Sequence, residues 1–209
     1  MINIAFCCLR MAEIRTMHEQ LLSSIQKVVQ LTPEEQQQLI SYFEFRSVEK
    51  RELLVQSGEI TRFVAFVSDG CLRSFSTDDN GFEHIMQFAP KGWWITDMSG
   101  FISESPSSLD IESILPSQVL LLTRTAQLSL FDAMPKLERY FRILLENSLV
   151  STRRRLLGNL SRQAKDRYLE FGQVYPGLEQ ILPQKLIASY IGVTPEFLSK
   201  LRSQLLRAS

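Results

Sequence analysis

Between Gln184 and Ser203 the chain reads QKLIASYIGVTPEFLSKLRS, and this stretch concentrates the residue types that hydrogen-bond to base pairs. On a helix starting near Pro195, the exposed positions are Glu196, Phe197, Ser199, Lys200, Ser203 and, at the margin, Arg202. In a DNA major groove Lys200 can donate to guanine O6 and N7, and Glu196 can accept from cytosine N4. Ser199 can reach a base edge or a phosphate, and Phe197 can touch a thymine methyl. The competing account is an ordinary helical hairpin with a solvated polar face.

The surrounding residues decide between the two. Ile187, Ile191, Val193, Leu198 and Leu201 are apolar where two crossed helices share a core, and Ala188 is small where the second helix crosses closely. Gly192 follows the first helix, where the chain must turn through a conformation that glycine adopts without cost. Thr194 can cap the next helix, Pro195 suits its first position, and Glu196 complements its dipole. Ala and Gly four residues apart, then apolar residues six and nine beyond that Gly, form the helix-turn-helix pattern. The agreement of so many positions favours DNA binding over the plain hairpin.

Other chemistries find little support. The three cysteines, Cys7, Cys8 and Cys71, form no CxxC pair, and with only His18 and His84 beside them no metal site is expected. No nucleophile–base pair or Walker-type loop is visible, so the chain is not read as an enzyme, and no cofactor is expected. Asp97 with Glu104 reads as a surface loop rather than a carboxylate pair. No apolar run approaches the roughly 18 residues needed to span a bilayer. The short apolar patch Ile4–Leu9 does not read as an export signal, which together with the low cysteine count fits a cytoplasmic protein. Met11 and Met17 are alternative starts, and the first 16 residues carry no functional weight.

Net charge is zero over the 209 residues, but unevenly distributed. From Ser151 onward there are ten Lys/Arg against four Asp/Glu, which leaves 13 against 19 in the rest of the chain. A basic tail on an acidic body points to a polyanionic partner for the tail.

Leu21, Leu22, Ile25, Val28 and Val29 recur at helical spacing, and a second helix is expected from Thr32 as N-cap, burying Leu39, Ile40 and Phe43. From Ser47 to Thr123 short β-prone runs (Glu52–Val55, Phe63–Val67, Cys71–Ser76, Glu83–Phe88, Asp110–Ile114, Val119–Leu122) alternate with turn signals at Ser57-Gly58, Asp69-Gly70, Asp78–Gly81 and Pro90–Gly92. Such spacing predicts an antiparallel barrel or jelly roll. Helical period then returns. Leu137, Tyr140, Phe141, Leu144, Leu145, Ser148, Leu149, Thr152 and Leu156 form a seam suited to a partner helix, either a symmetry mate or the barrel. Gly158 is expected to break that helix, a further one is expected over about 161–174, and Tyr175-Pro176-Gly177 is a stop.

With both halves read, the chain resembles the Crp/Fnr family of catabolite-activator-type regulators from Leu31 to Leu206. The sensor half carries Leu54-Val55-Gln56-Ser57-Gly58-Glu59 and Phe63–Arg73, as cyclic-nucleotide-binding-type barrels do. Asp166-Arg167-Tyr168, Tyr175-Pro176, Leu182-Pro183-Gln184, Ile187–Thr194 and Leu198-Ser199-Lys200 match the DNA-binding half. The resemblance implies an α+β fold: an N-terminal antiparallel β jelly-roll sensor, a long dimerisation helix and a C-terminal all-α helix-turn-helix domain. The expected boundaries are 1–30 for an extension and helix, 31–134 for the sensor, 135–157 for the dimerisation helix and 158–209 for the DNA-binding domain. The implied partners are double-stranded operator DNA with half-sites about one helical turn apart, a second copy of the chain, a small-molecule effector and RNA polymerase, with no membrane. The DNA contacts would come from Lys185, Thr194, Glu196, Phe197, Ser199, Lys200 and Arg202.

Three departures qualify the resemblance. Cyclic-nucleotide-binding members offer a Gly-Glu pair and then an Arg for the ribose and cyclic phosphate. The corresponding residues here are Thr96, Asp97, Ser107 and Ser108, and no Lys or Arg lies between Lys91 and Arg124. A phosphate without a cation is poorly compensated, so cAMP is not expected to bind in the usual way. Those four residues are the ligand-pocket candidates, against an alternative in which the barrel mouth is filled by side chains. Trp93 and Trp94 could roof a ligand but read more naturally as core. Pro195 stands where an Arg often reads guanine. The usual C-terminal wing is expected to be missing, which shifts phosphate contacts to Lys185, Arg202 and Arg207. A dimeric sensor or interaction module that no longer engages DNA is the alternative function.

Overall fold

A computed structural model describes the backbone of residues 3–208 and the side chains of residues 15–207, so the side chains of Cys7 and Cys8 lie outside the described residues. The chain divides into two units. The first takes residues up to Ser76 and Gln87–Ile143, and the second takes Thr77–Met86 and Leu144–Ser209.

Helix α1 (Asn3–Gln26) buries Leu21, Leu22 and Ile25, and it begins well before the leucines that revealed it. Thr32 starts α2 (Pro33–Ile40) through a capping box, in which the Thr32 hydroxyl accepts from the Glu35 N–H and the Glu35 carboxylate accepts from the Thr32 N–H. Leu39 and Phe43 are buried as expected, and Ile40 is half-buried.

Six antiparallel strands follow: β1 (Glu44–Val48), β2 (Leu53–Val55), β3 (Phe63–Thr77), β4 (Glu83–Pro90), β5 (Trp94–Ile95) and β6 (Asp110–Thr123). They lie in the order β1-β6-β3-β4, with β2 also on β6 and β5 on β3. Two long strands replace four expected short ones. Asp69-Gly70 is not a turn: β3 runs through it, with register shifts against β6 at Val67, Asp69 and Cys71. Gly70 has φ +86°, and a Cβ there would lie 2.6 Å from the Pro116 carbonyl oxygen. The glycine therefore allows a bulge at which β3 lies tight against β6, rather than a reversal. The core beneath the sheet gathers Val48, Leu54, Val55, Ala65, Val67, Leu72, Ala89, Ile95, Ile111, Val119 and Leu121, with Trp93 packed against it. Trp94 sits among Phe43, Phe66 and Phe141 and donates from its indole N–H to the Tyr140 hydroxyl at 2.9 Å. Both tryptophans are core.

Helix α3 (Met98–Ser103) lies between β5 and β6, and α4 (Arg124–Ala133) follows β6. Helix α5 (Lys136–Ser161) runs straight through Gly158, so the expected break comes four residues late. Its first turns bury Leu137, Tyr140 and Phe141 in the first unit. Further along, Leu145, Leu149, Leu156, Leu157 and Leu160 are exposed, from 41% up to 76%. In the second unit α6 (Ala164–Val174) ends at Tyr175, and Gly177 turns the chain into α7 (Leu178–Ile181). Helices α8 (Gln184–Ile191) and α9 (Pro195–Ala208) complete it. Among the described residues no helix is long and apolar enough to cross a membrane.

Candidate nucleic-acid interface and sensor cassette

The pattern that singled out residues 184–203 becomes two crossed helices. Ile187, Ala188, Ile191, Leu198 and Leu201 are all buried, closing α8 onto α9. Gly192 ends α8 in the left-handed conformation (φ +69°), and the Val193 N–H returns to the Ala188 carbonyl at 3.0 Å. Thr194 then caps α9, its hydroxyl accepting from the Phe197 N–H at 3.2 Å. The Glu196 carboxyl is held below its usual range by its own backbone N–H and the Thr194 hydroxyl, so it is anionic at neutral pH.

With Leu198 and Leu201 inward, Thr194, Glu196, Phe197, Ser199, Lys200 and Ser203 are exposed along one side of α9. Lys185 is exposed on the first turn of α8 and Arg207 near the end of α9. Arg202 differs. It is half-buried, unlike its exposed neighbours on α9.

Three of the four sensor candidates, Asp97, Ser107 and Ser108, hydrogen-bond to one another, with Ser107 buried and Ser108 exposed. Asp97 is 4% exposed, not part of a surface loop, although Glu104 is exposed. The Asp97 carboxylate caps α3 by accepting from the Ser99 N–H at 3.1 Å. It also accepts from the Ser107 hydroxyl and the Ser108 N–H, each at 2.9 Å. Burial alone would raise its pKa. The donors from Ser108, Ser107, Gly100 and Ser99 outweigh burial and hold the carboxyl below its usual range. Thr96 donates to the Phe63 carbonyl at 2.9 Å. Donors suited to an anion are thus already satisfied by the protein's own carboxylate.

A cation overlooked in the sequence lies on β3. Arg73 is 6% exposed, pairs with Glu112 across the sheet at 2.6 Å and stacks over the Phe75 ring. A lone arginine in an apolar run gives no sign of a partner 39 residues away. Its charge is compensated within the sheet.

An expected result follows for the cassette. Replacing Asp97 by Ala strands the Ser107 and Ser108 donors and is expected to cost on the order of 2 kcal/mol of stability, read by chemical denaturation. The folded-state pKa lies below the unfolded one, so the Asp97 contribution is complete above about pH 4 and disappears as pH falls further. A denaturation midpoint that is the same for both proteins at pH 7 would contradict this role.

Among the described residues no three His, Cys, Asp or Glu side chains gather where a metal could sit. Residues 45–133 match the family model of the cyclic nucleotide-binding domain. No curated protein matches the chain by sequence. The chain is similar in structure to the catabolite activator protein of Thermus thermophilus (21% identity, 88% of this chain and 87% of that one, TM-score 0.55). It is also similar to FixK2 of Bradyrhizobium japonicum (22% identity, 79% and 85%, TM-score 0.67). A CooA variant of Carboxydothermus hydrogenoformans has the same fold (15% identity, 90% and 84%, TM-score 0.68). Residues 45–133 therefore match the cyclic nucleotide-binding domain, and the chain shares the fold of these three solved structures.

Proposed function

We propose that this protein is a dimeric, sequence-specific DNA-binding transcription regulator of the Crp/Fnr type, working in the cytoplasm. The observation that carries the proposal is the exposed face of α9, with Glu196, Phe197, Ser199 and Lys200 outward while Leu198 and Leu201 anchor the helix on α8. A recognition helix needs that division. Lys185 and Arg207 add cations for phosphates, and Arg202 supports the helix more than it reads. The exposed leucines of α5 favour a second copy of the chain as partner, which presents two reading helices to an inverted repeat. On such an operator the dimer would act on RNA polymerase.

The barrel takes an effector other than cAMP in its usual mode, because Asp97 occupies the Ser107 and Ser108 donors and residues 92–123 contain no Lys or Arg. A thermal-shift titration with cAMP is expected to show no saturable rise in melting temperature.

Fluorescence anisotropy on a selected duplex tests the proposal. With about six phosphate contacts per dimer, affinity is expected to fall roughly a thousandfold between 50 and 200 mM salt. An interaction module that has lost DNA binding gives no such binding at either salt.

A further inference from the structure

Strand β4 ends the sheet order, so one of its edges has no neighbouring strand. An edge of this kind leaves N–H and C=O groups that need partners. In the hairpin tip Thr77–Met86 those partners are side chains of the second unit, to which the tip itself belongs. The Ser189 hydroxyl, on α8, donates to the Glu83 carbonyl at 2.7 Å and accepts from the Ile85 N–H at 3.0 Å. It stands in for one residue of a missing strand. The Arg155 guanidinium, on α5, donates to the Ile85 carbonyl at 2.7 Å and to the Met86 carbonyl, and it lies 4.3 Å above the Tyr190 ring. The tip is stiffened from within, since the Asp78 carboxylate accepts from the Asn80 and Phe82 N–H groups and pairs with His84.

We infer that Ser189 and Arg155 are positioning residues for DNA reading: they tie α8 to the hairpin tip and so fix the direction in which α9 points. This rests on the proposed DNA-binding function. Neither residue belongs to the exposed face of α9, and these four hydrogen bonds to the tip all meet backbone atoms. These bonds need a hydroxyl at 189 and a forked donor at 155. A lysine at 155 keeps the charge but loses the fork.

The test uses full-length Ser189→Ala, Ser189→Thr and Arg155→Lys. Hydrogen exchange on the free protein is read at the Ile85 amide. Ser189→Ala is expected to speed exchange there about tenfold, and Ser189→Thr to preserve protection. On the selected duplex, Ser189→Ala and Arg155→Lys are each expected to weaken binding about tenfold with the salt slope unchanged, and Ser189→Thr to restore it. Unchanged exchange in Ser189→Ala would show that there is no tie. Faster exchange with unchanged or tighter DNA binding would overturn the positioning role. A wild-type protein that binds no duplex would remove the DNA function and this role with it, while exchange would still report whether the tie exists.

Discussion

Replacing Leu149 and Leu156 together by aspartate is expected to leave the protein monomeric and to weaken operator binding at least a hundredfold. Both side chains are more than half exposed in the single chain, at 52% and 58%, so they contribute little to the fold of the protomer. They lie on the α5 seam with Leu145 and Leu160, also exposed, at steps of three and four residues broken only by Thr152. A buried leucine is worth roughly 1.5–3 kcal/mol, and twofold symmetry counts each one twice. Four carboxylates in an apolar seam would add desolvation and repulsion. One protomer then has a single reading head and loses the second half-site. Light scattering with anisotropy reads both effects. A variant that stays dimeric, or a monomer that binds as tightly as wild type, would contradict the seam.

The second large effect belongs to Lys200. Its exposed ammonium is the strongest base-reading donor on α9, because Pro195 offers none and Arg202 is half-buried. Lys200→Ala is expected to cost about 1–3 kcal/mol, roughly 5- to 150-fold in affinity, and to relax preference at one base pair of each half-site. Removing a phosphate cation such as Lys185 would instead weaken all sequences alike. Equal losses on matched and mismatched duplexes would make Lys200 a phosphate contact.

The helix-turn-helix was legible because its requirements are local and redundant. Gly192 in the left-handed region, Thr194 at the cap and the buried Ile187, Ile191, Leu198 and Leu201 each restate the same geometry. The sheet was legible in kind but not in detail. Gly70 announces a positive φ, yet only the approach of Pro116 and Ser117 shows that the strand bulges against its neighbour there instead of turning back. Gly158 likewise signals a weak point that the helix spans. Asp97 was expected in a surface loop with Glu104, because its partners Ser107 and Ser108 lie ten and eleven residues on, and nothing local shows that they fold back on it. The Ser189–Glu83 bond joins residues 106 apart, beyond any local pattern.

Selection of bound duplexes from a random pool by the wild-type protein, followed by sequencing, tests the central claim most directly. The outward face of α9 predicts enrichment of an inverted repeat with half-sites about one helical turn apart, and loss of preference at one position per half when Lys200→Ala is used instead. Recovery of no motif, or of the same motif with undiminished preference by the Lys200→Ala protein, would contradict it.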